Sequence, residues 1–173
     1  MHHIIKLAAI IAFSLTCFPA HAAEASKDRA PRFSDYPETK LSRELVKPPL
    51  VPEEWDEDPR LRVLDTVGSH SRANFAGRYF VAVWGCGTAC VSGAVIEPRT
   101  GKFHSLGSVS SWNEVHKNFR GIDFRHNSRL IVLSGQRDEK EGDMGEHFYV
   151  FENGEVRFLK TIRTNGDFMR PAR

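Results

Sequence analysis

The chain has 173 residues, 27% of them charged, yet its formal net charge is only +2. Charges so evenly balanced point to neither a nucleic-acid partner nor an anionic membrane surface. The length suits one domain with a real core better than two.

The N-terminus opens on Met1-His2-His3-Ile4-Ile5-Lys6, a short region with one lysine, and continues from Leu7 to Leu15 as an almost unbroken apolar run. That run is too short to span a bilayer and has the shape of a signal-peptide core. Ala20-His21-Ala22 supplies the small-x-small pattern that signal peptidase accepts, so cleavage is expected before Ala23, with residues 1–22 as the signal peptide. Lipidation at Cys17 is the competing reading, but Thr16 stands where that chemistry wants Gly, Ala or Ser. No other run approaches the roughly 18 apolar residues of a membrane helix, so stable membrane insertion is not expected. Loss of Lys6 takes the charge of the mature chain to +1.

Residues 23–60 form a Pro-rich arm or strap, holding Pro31, Pro37, Pro48, Pro49, Pro52 and Pro59 with little apolar periodicity. Leu41 to Val46 has room for a helical turn or two before Pro48 ends it. Trp55, set in the acidic run Glu53 to Asp58, favours a strap laid over the domain, because its apolar area would otherwise be exposed.

From Leu61 to Arg173 the signals are those of strands and turns, in a single β-rich domain. Gly77 to Trp84 is β-branched and aromatic, a strand by composition. Cys90 to Ile96 and Lys102 to Leu106 flank the turn cluster Glu97-Pro98-Arg99-Thr100-Gly101. Ser111 to Lys117, opened by a Ser cap with Glu114 three residues on, is the one short helix expected here. Ile122 to Phe124 and Leu130 to Leu133 make a second hairpin, and the continuous run Leu130-Ile131-Val132-Leu133 predicts a strand buried on both faces. Gly135 to Gly145, charged and bracketed by glycines, reads as a mobile loop. Asn153-Gly154 between His147 to Phe151 and Glu155 to Ile162 predicts a two-residue hairpin turn, since both residues tolerate positive φ. A closed propeller of four blades at about 40 residues each would need more chain than this. The expected fold is therefore all-β, an antiparallel meander, sandwich or small open barrel built from hairpins.

The most distinctive passage is Trp84-Gly85-Cys86-Gly87-Thr88-Ala89-Cys90, between two predicted strands. Two cysteines four apart, with small residues between, reach bonding distance across a tight turn in an oxidising compartment, and a disulfide is the favoured reading. A redox-active pair is the sharper alternative, although C-x-x-C at a helix start is the usual motif. Metal binding is a third, but His70, His104, His116, His126 and His147 lack ligand spacing to the cysteines or to each other. Gly68-Ser69-His70-Ser71 lacks the G-x-S-x-G frame of a hydrolase elbow and reads as a polar turn. Asp138, Glu139, Glu141 and Asp143 read as solvated loop carboxylates without calcium-loop spacing. Trp84, Trp112, Tyr79, Phe119 and Phe124 read first as core; if one is exposed, Trp84 beside the rigid loop is the best anchor.

Asn74-Phe75-Ala76-Gly77-Arg78-Tyr79, followed by the cysteine passage, resembles a family of small exported bacterial proteins that pair N-F-A-G-x-Y with W-G-C-G-x-x-C. The resemblance is centred on residues 68–106; it implies a bacterial periplasmic origin and carries over no activity and no functional residue. The leading expectation is a non-catalytic periplasmic binding or inhibitor-like protein that docks on a protein or cell-envelope partner. Its candidate surface comprises Trp84, Gly85, Gly87, Thr88, His70 and Arg78, with no cofactor, metal or catalytic residue. The alternative is a thiol-redox or copper- or zinc-handling protein using Cys86 and Cys90, and a hydrolase around His70 and Ser71 comes third.

Overall fold

A computed structural model describes residues 29–40, 42, 50, 60, 61, 63–65, 73–110 and 121–164. The expectations for residues 1–22, Leu41 to Val46 apart from Ser42, Trp55, Gly68 to Ser71 and the helix Ser111 to Lys117 lie outside them, as do Trp112 and Phe119. Among the described residues no helix is long and apolar enough to cross a membrane.

Among the described residues, seven strands form one antiparallel sheet: β1 Phe80–Gly87, β2 Cys90–Ile96, β3 Phe103–Ser110, β4 Ile122–Phe124, β5 Leu130–Arg137, β6 Met144–Glu152 and β7 Glu155–Arg163. Their order across the sheet is β1-β2-β3-β5-β6-β7, with β4 paired to β5 beside that path. β3 and β5 meet only at Val109↔Arg137 and Ser110↔Gln136, so this seam divides the sheet into two halves. The halves fold over one another. Gly93 of β2 lies so close to β4 that a Cβ there would come within 2.8 Å of Ile122 Cδ1.

Strand alternation builds three apolar clusters. Between the halves sit Phe75, Val81, Val95, Leu106, Val109, Ile122, Ile131, Leu133 and Phe151. Phe75 is fully buried and meets Phe124 and Phe151 edge-on at 6.3 and 6.1 Å between ring centroids. The outer face of β1 and β2 carries Phe80, Ala82, Trp84, Ala94 and Ile96, covered by Val63 from the helical residues 60, 61 and 63–65. The outer face of β5 and β6 carries Leu130, Val132 and Phe148, and there Ala30, Phe33 and Tyr36 close it. Leu130 to Leu133 is thus buried on both faces, as the continuous apolar run predicts.

The Pro-rich stretch from 29 to 40 is held on the body by its backbone as well. A 3₁₀ turn, Phe33–Asp35, leads to a bridge between Pro37 and Ser128. The buried Ser128 hydroxyl lies 2.8 Å from the Phe33 carbonyl and 3.0 Å from that of Tyr36, and Arg129 N–H donates to the Tyr36 carbonyl at 2.9 Å. Arg125 stacks over the Phe33 ring at 4.3 Å. These partners satisfy main-chain groups that burial would otherwise leave orphaned.

β1 begins three residues later than composition predicts. Ala76 and Gly77 have φ of 41° and 70° and turn the chain, so that Phe75 and Tyr79 bridge each other before the strand starts. Asn74 closes this turn onto the edge of β1, accepting from Val81 N–H at 2.7 Å and donating to the Val81 carbonyl at 3.0 Å. Tyr79 packs on Phe151 with ring centroids 4.6 Å apart. Every fixed letter of N-F-A-G-x-Y is therefore accounted for by the fold, as an edge cap, a core ring, two positive-φ positions and a second core ring.

Four strands run longer than their composition predicts: β3 on to Ser110, β5 on to Arg137, β6 backward to Met144, and β7 by one residue to Arg163. The loop expected over Gly135 to Gly145 shrinks accordingly to residues 138–143. It is tied to β3 by a reciprocal pair of bonds, Asp138 N–H to the Ser108 carbonyl at 2.9 Å and Ser108 N–H to Asp138 Oδ1 at 2.9 Å. The Asn153-Gly154 turn has φ of 54° and 76°, the left-handed pair that a two-residue hairpin turn demands.

Candidate functional site

The β1–β2 turn combines exposure with constraint. Gly85, Cys86, Gly87 and Thr88 are exposed, while Trp84 before them and Cys90 after them are buried. Cys86 is an extra residue between the pairs Gly85↔Val91 and Gly87↔Cys90, a bulge that leaves Thr88 and Ala89 as the tip. Cys86 and Cys90 form a disulfide, with their Cα atoms 5.1 Å apart. The disulfide closes the bulge and Ala89, at φ 50°, completes the reversal.

Trp84 belongs to the core. Its indole is 8% exposed and lies 6.3 Å from the Phe103 ring, so it supports the turn from beneath and is not available as a contact anchor. Strand alternation explains this, since Trp84 shares the outer face of β1 with Phe80 and Ala82. The exposed residues of the turn are small and uncharged, which leaves main-chain groups and the Thr88 hydroxyl to make contacts. At its base, the row Gly87, Cys90, Ser110, Gln136, Met144 runs across β1, β2, β3, β5 and β6.

The other candidates do not join it. Arg78 is exposed, but it stacks on Tyr79 at 5.0 Å and donates to the Tyr79 hydroxyl at 2.9 Å, at the far end of β1. With about 3.3 Å per strand residue, that is on the order of 25 Å from the cysteine turn. His70 lies outside the described residues.

Closing so short a loop removes little entropy from the unfolded chain, so the disulfide contributes about 1 to 2 kcal/mol. A Cys86→Ser, Cys90→Ser double variant is expected to remain folded, with its unfolding free energy in urea lowered by that amount. A loss of cooperative unfolding would show that the bond holds the sheet and not the turn alone.

A polar cluster that spacing alone did not reveal lies at the β5–β6 end. Arg137 Nε and Nη2 both reach Asp143 Oδ2, at 2.9 and 2.7 Å, and its Nη1 donates to the Tyr149 hydroxyl at 2.9 Å. The guanidinium also stacks over Phe158 at 5.1 Å. Asp143, expected in solvent, is therefore buried and paired. Burial raises the Tyr149 hydroxyl above its ordinary range, against the opposing pull of Arg137. His147, fully buried, contacts Thr161 Oγ1 at 2.9 Å and the Gly135 carbonyl at 3.0 Å. Burial holds its imidazole below the usual histidine range; the Gly135 hydrogen bond and the Asp143 charge oppose that shift without reversing it.

At the opposite end Glu97 Oε1 lies 3.2 Å from His104 Nε2, and Thr100 Oγ1 donates to Glu97 Oε2 at 2.9 Å. Burial pushes the Glu97 carboxyl up, but the Thr100 and His104 hydrogen bonds and the nearby positive charge outweigh it, and the group ends below the usual value of 4.5. A depressed folded pKa means that the unfolded chain binds the proton first as pH falls, so this stabilisation is present above pH 4.5 and lost below it. Glu97→Gln is expected to flatten the acid limb of unfolding free energy against pH by less than about 1 kcal/mol. An unchanged acid limb would remove Glu97 from the acid response.

Among the described residues, no group of three or more His, Cys, Asp or Glu is arranged to hold a metal ion. No family model, no curated protein and no solved structure matches the chain.

Proposed function

We propose that this is a non-catalytic binding or inhibitor-like protein, exported to the bacterial periplasm, that docks on a protein or cell-envelope partner through Gly85 to Thr88. The observation that carries the reading is the exposed, uncharged turn closed by Cys86–Cys90 and seated on a buried tryptophan. A loop fixed before contact loses little conformational entropy on binding, which is how a small surface gains useful affinity. Small residues also let a partner approach the main chain closely, so its hydrogen-bonding groups and the Thr88 hydroxyl serve as the recognition elements. The signal-peptide pattern at residues 1–22 and the N-F-A-G-x-Y and W-G-C-G-x-x-C resemblance support the location.

Thr88→Arg tests this without touching the core, because Thr88 is exposed at the tip. Binding of the purified protein to an immobilised envelope fraction is expected to fall more than about tenfold, a change of 1.4 kcal/mol or more, with the thermal midpoint unchanged. Equal binding by both proteins would contradict the proposal. Trp84→Ala cannot replace this variant, since removing a packed indole perturbs the sheet itself.

A further inference from the structure

His147 joins three strands through one side chain. Its backbone belongs to β6, its Nε2 lies 3.0 Å from the Gly135 carbonyl of β5, and its Nδ1 lies 2.9 Å from Thr161 Oγ1 of β7. A carbonyl only accepts, so Nε2 carries the proton, and Nδ1 accepts from the Thr161 hydroxyl. The fully buried ring is thereby fixed in one neutral tautomer.

Burial is the main obstacle to a cation here: Arg137 adds to it, while the Asp143 carboxylate and the Gly135 and Asp143 carbonyls oppose it without reversing it. Arg137 faces the ring from β5, Tyr149 stands two residues along β6, and Asp143 approaches from the β5–β6 loop. The Asp143 carboxylate that would offset an imidazolium is already engaged twice by Arg137. Asp138 of the same loop is held by Ser108 N–H of β3, and β7 adds Arg163, whose guanidinium donates to the Gly142 carbonyl at 3.1 Å. The charged groups that act on the ring are therefore Arg137 and Asp143, each bonded to the other.

We propose that the β5–β6–β7 corner is an acid-opened latch with His147 as its pin: protonation frees the C-terminal part of β7 and the loop at 138–143. A proton on Nδ1 turns an acceptor into a donor, so the Thr161 hydroxyl must reverse, and it places a second positive charge beside Arg137 in a buried space. The sign follows from burial. The ring is neutral in the folded protein, so the stabilisation is complete above the ordinary histidine value of 6.5 and declines as pH falls below it. The Arg163 bond to Gly142 and the Thr164 N–H bond to the Met144 carbonyl, at 3.4 Å, are released together with β7. This latch is independent of the docking turn, and either can fail alone.

Imidazole nitrogen shifts and amide hydrogen exchange of the wild-type protein test it together. At pH 7.5 His147 is expected in the Nε2–H form. Between pH 7.5 and 5.0, protection of the amides from Lys160 to Arg163 is expected to drop about tenfold or more beyond the intrinsic chemistry. Amides of β1 and β2 are expected to hold. His147→Gln, whose amide can donate to Gly135 and accept from Thr161, is expected to abolish the pH dependence at β7. Protonation of His147 with β7 protection unchanged, or an equal loss in His147→Gln and wild type, would overturn the latch.

Discussion

Phe75→Ala is expected to destabilise the protein by about 3 to 5 kcal/mol, the range for deleting a buried aromatic ring. The site offers little scope for collapse. Phe75 is fully buried, and two of the rings around it, Phe124 and Phe151, are themselves held in strands of the other half. Phe151 in turn supports Tyr79 and the His104 ring, the latter at 5.3 Å, so the cavity undermines the core from β1 to β6. Guanidinium unfolding monitored by tryptophan fluorescence measures this directly. A loss under about 1.5 kcal/mol, the scale of a volume-conserving swap, would show that the two halves close over the gap.

Gly77→Ala is expected to cost about 3 kcal/mol, from positive φ at about 1 to 2 kcal/mol and the rest from overlap. A Cβ at Gly77 would run into the Lys40 carbonyl, and backbone cannot move aside as a flexible side chain can. The stretch held over β5 and β6 would have to shift, with loss of the Ser42 N–H bond to the Gly77 carbonyl. Gly154→Ala separates the two contributions. It has a similar φ of 76°, but its nearest neighbour would be Glu97 Oε1 at 3.7 Å, so only the backbone cost of about 1 kcal/mol applies there. Equal losses for the two variants would mean that the Lys40 contact is not tight.

The hairpins were legible because their turns are local chemistry. Asn153-Gly154 and Pro98-Arg99-Thr100-Gly101 announce reversals within four residues, and the strands on either side follow from composition. What stayed hidden depends on parity and distance. Leu106 and Leu159 are extra residues at bulges, and each resets which face the rest of its strand presents, something alternation alone does not disclose. Trp84 was readable as core or anchor, and only its pairing with the outer face of β1 decides for core. The cysteine turn could be found because both partners lie within five residues. The Arg137, Asp143, Tyr149, His147 and Thr161 cluster spans β5 to β7, and its members look like ordinary strand and loop residues until the sheet aligns them.

Gly85 to Thr88 is the face we propose this protein presents to its partner. The most direct test places a photo-crosslinking amino acid at Thr88 and, in a second protein, at Glu155, an exposed residue in the β6–β7 hairpin. Irradiation of cells producing each protein is expected to give a discrete adduct from position 88 and none from position 155. The Cys86→Ser, Cys90→Ser background is expected to weaken the adduct at position 88. The same adducts from both positions, or none from position 88 while the protein is present and folded, would contradict the account.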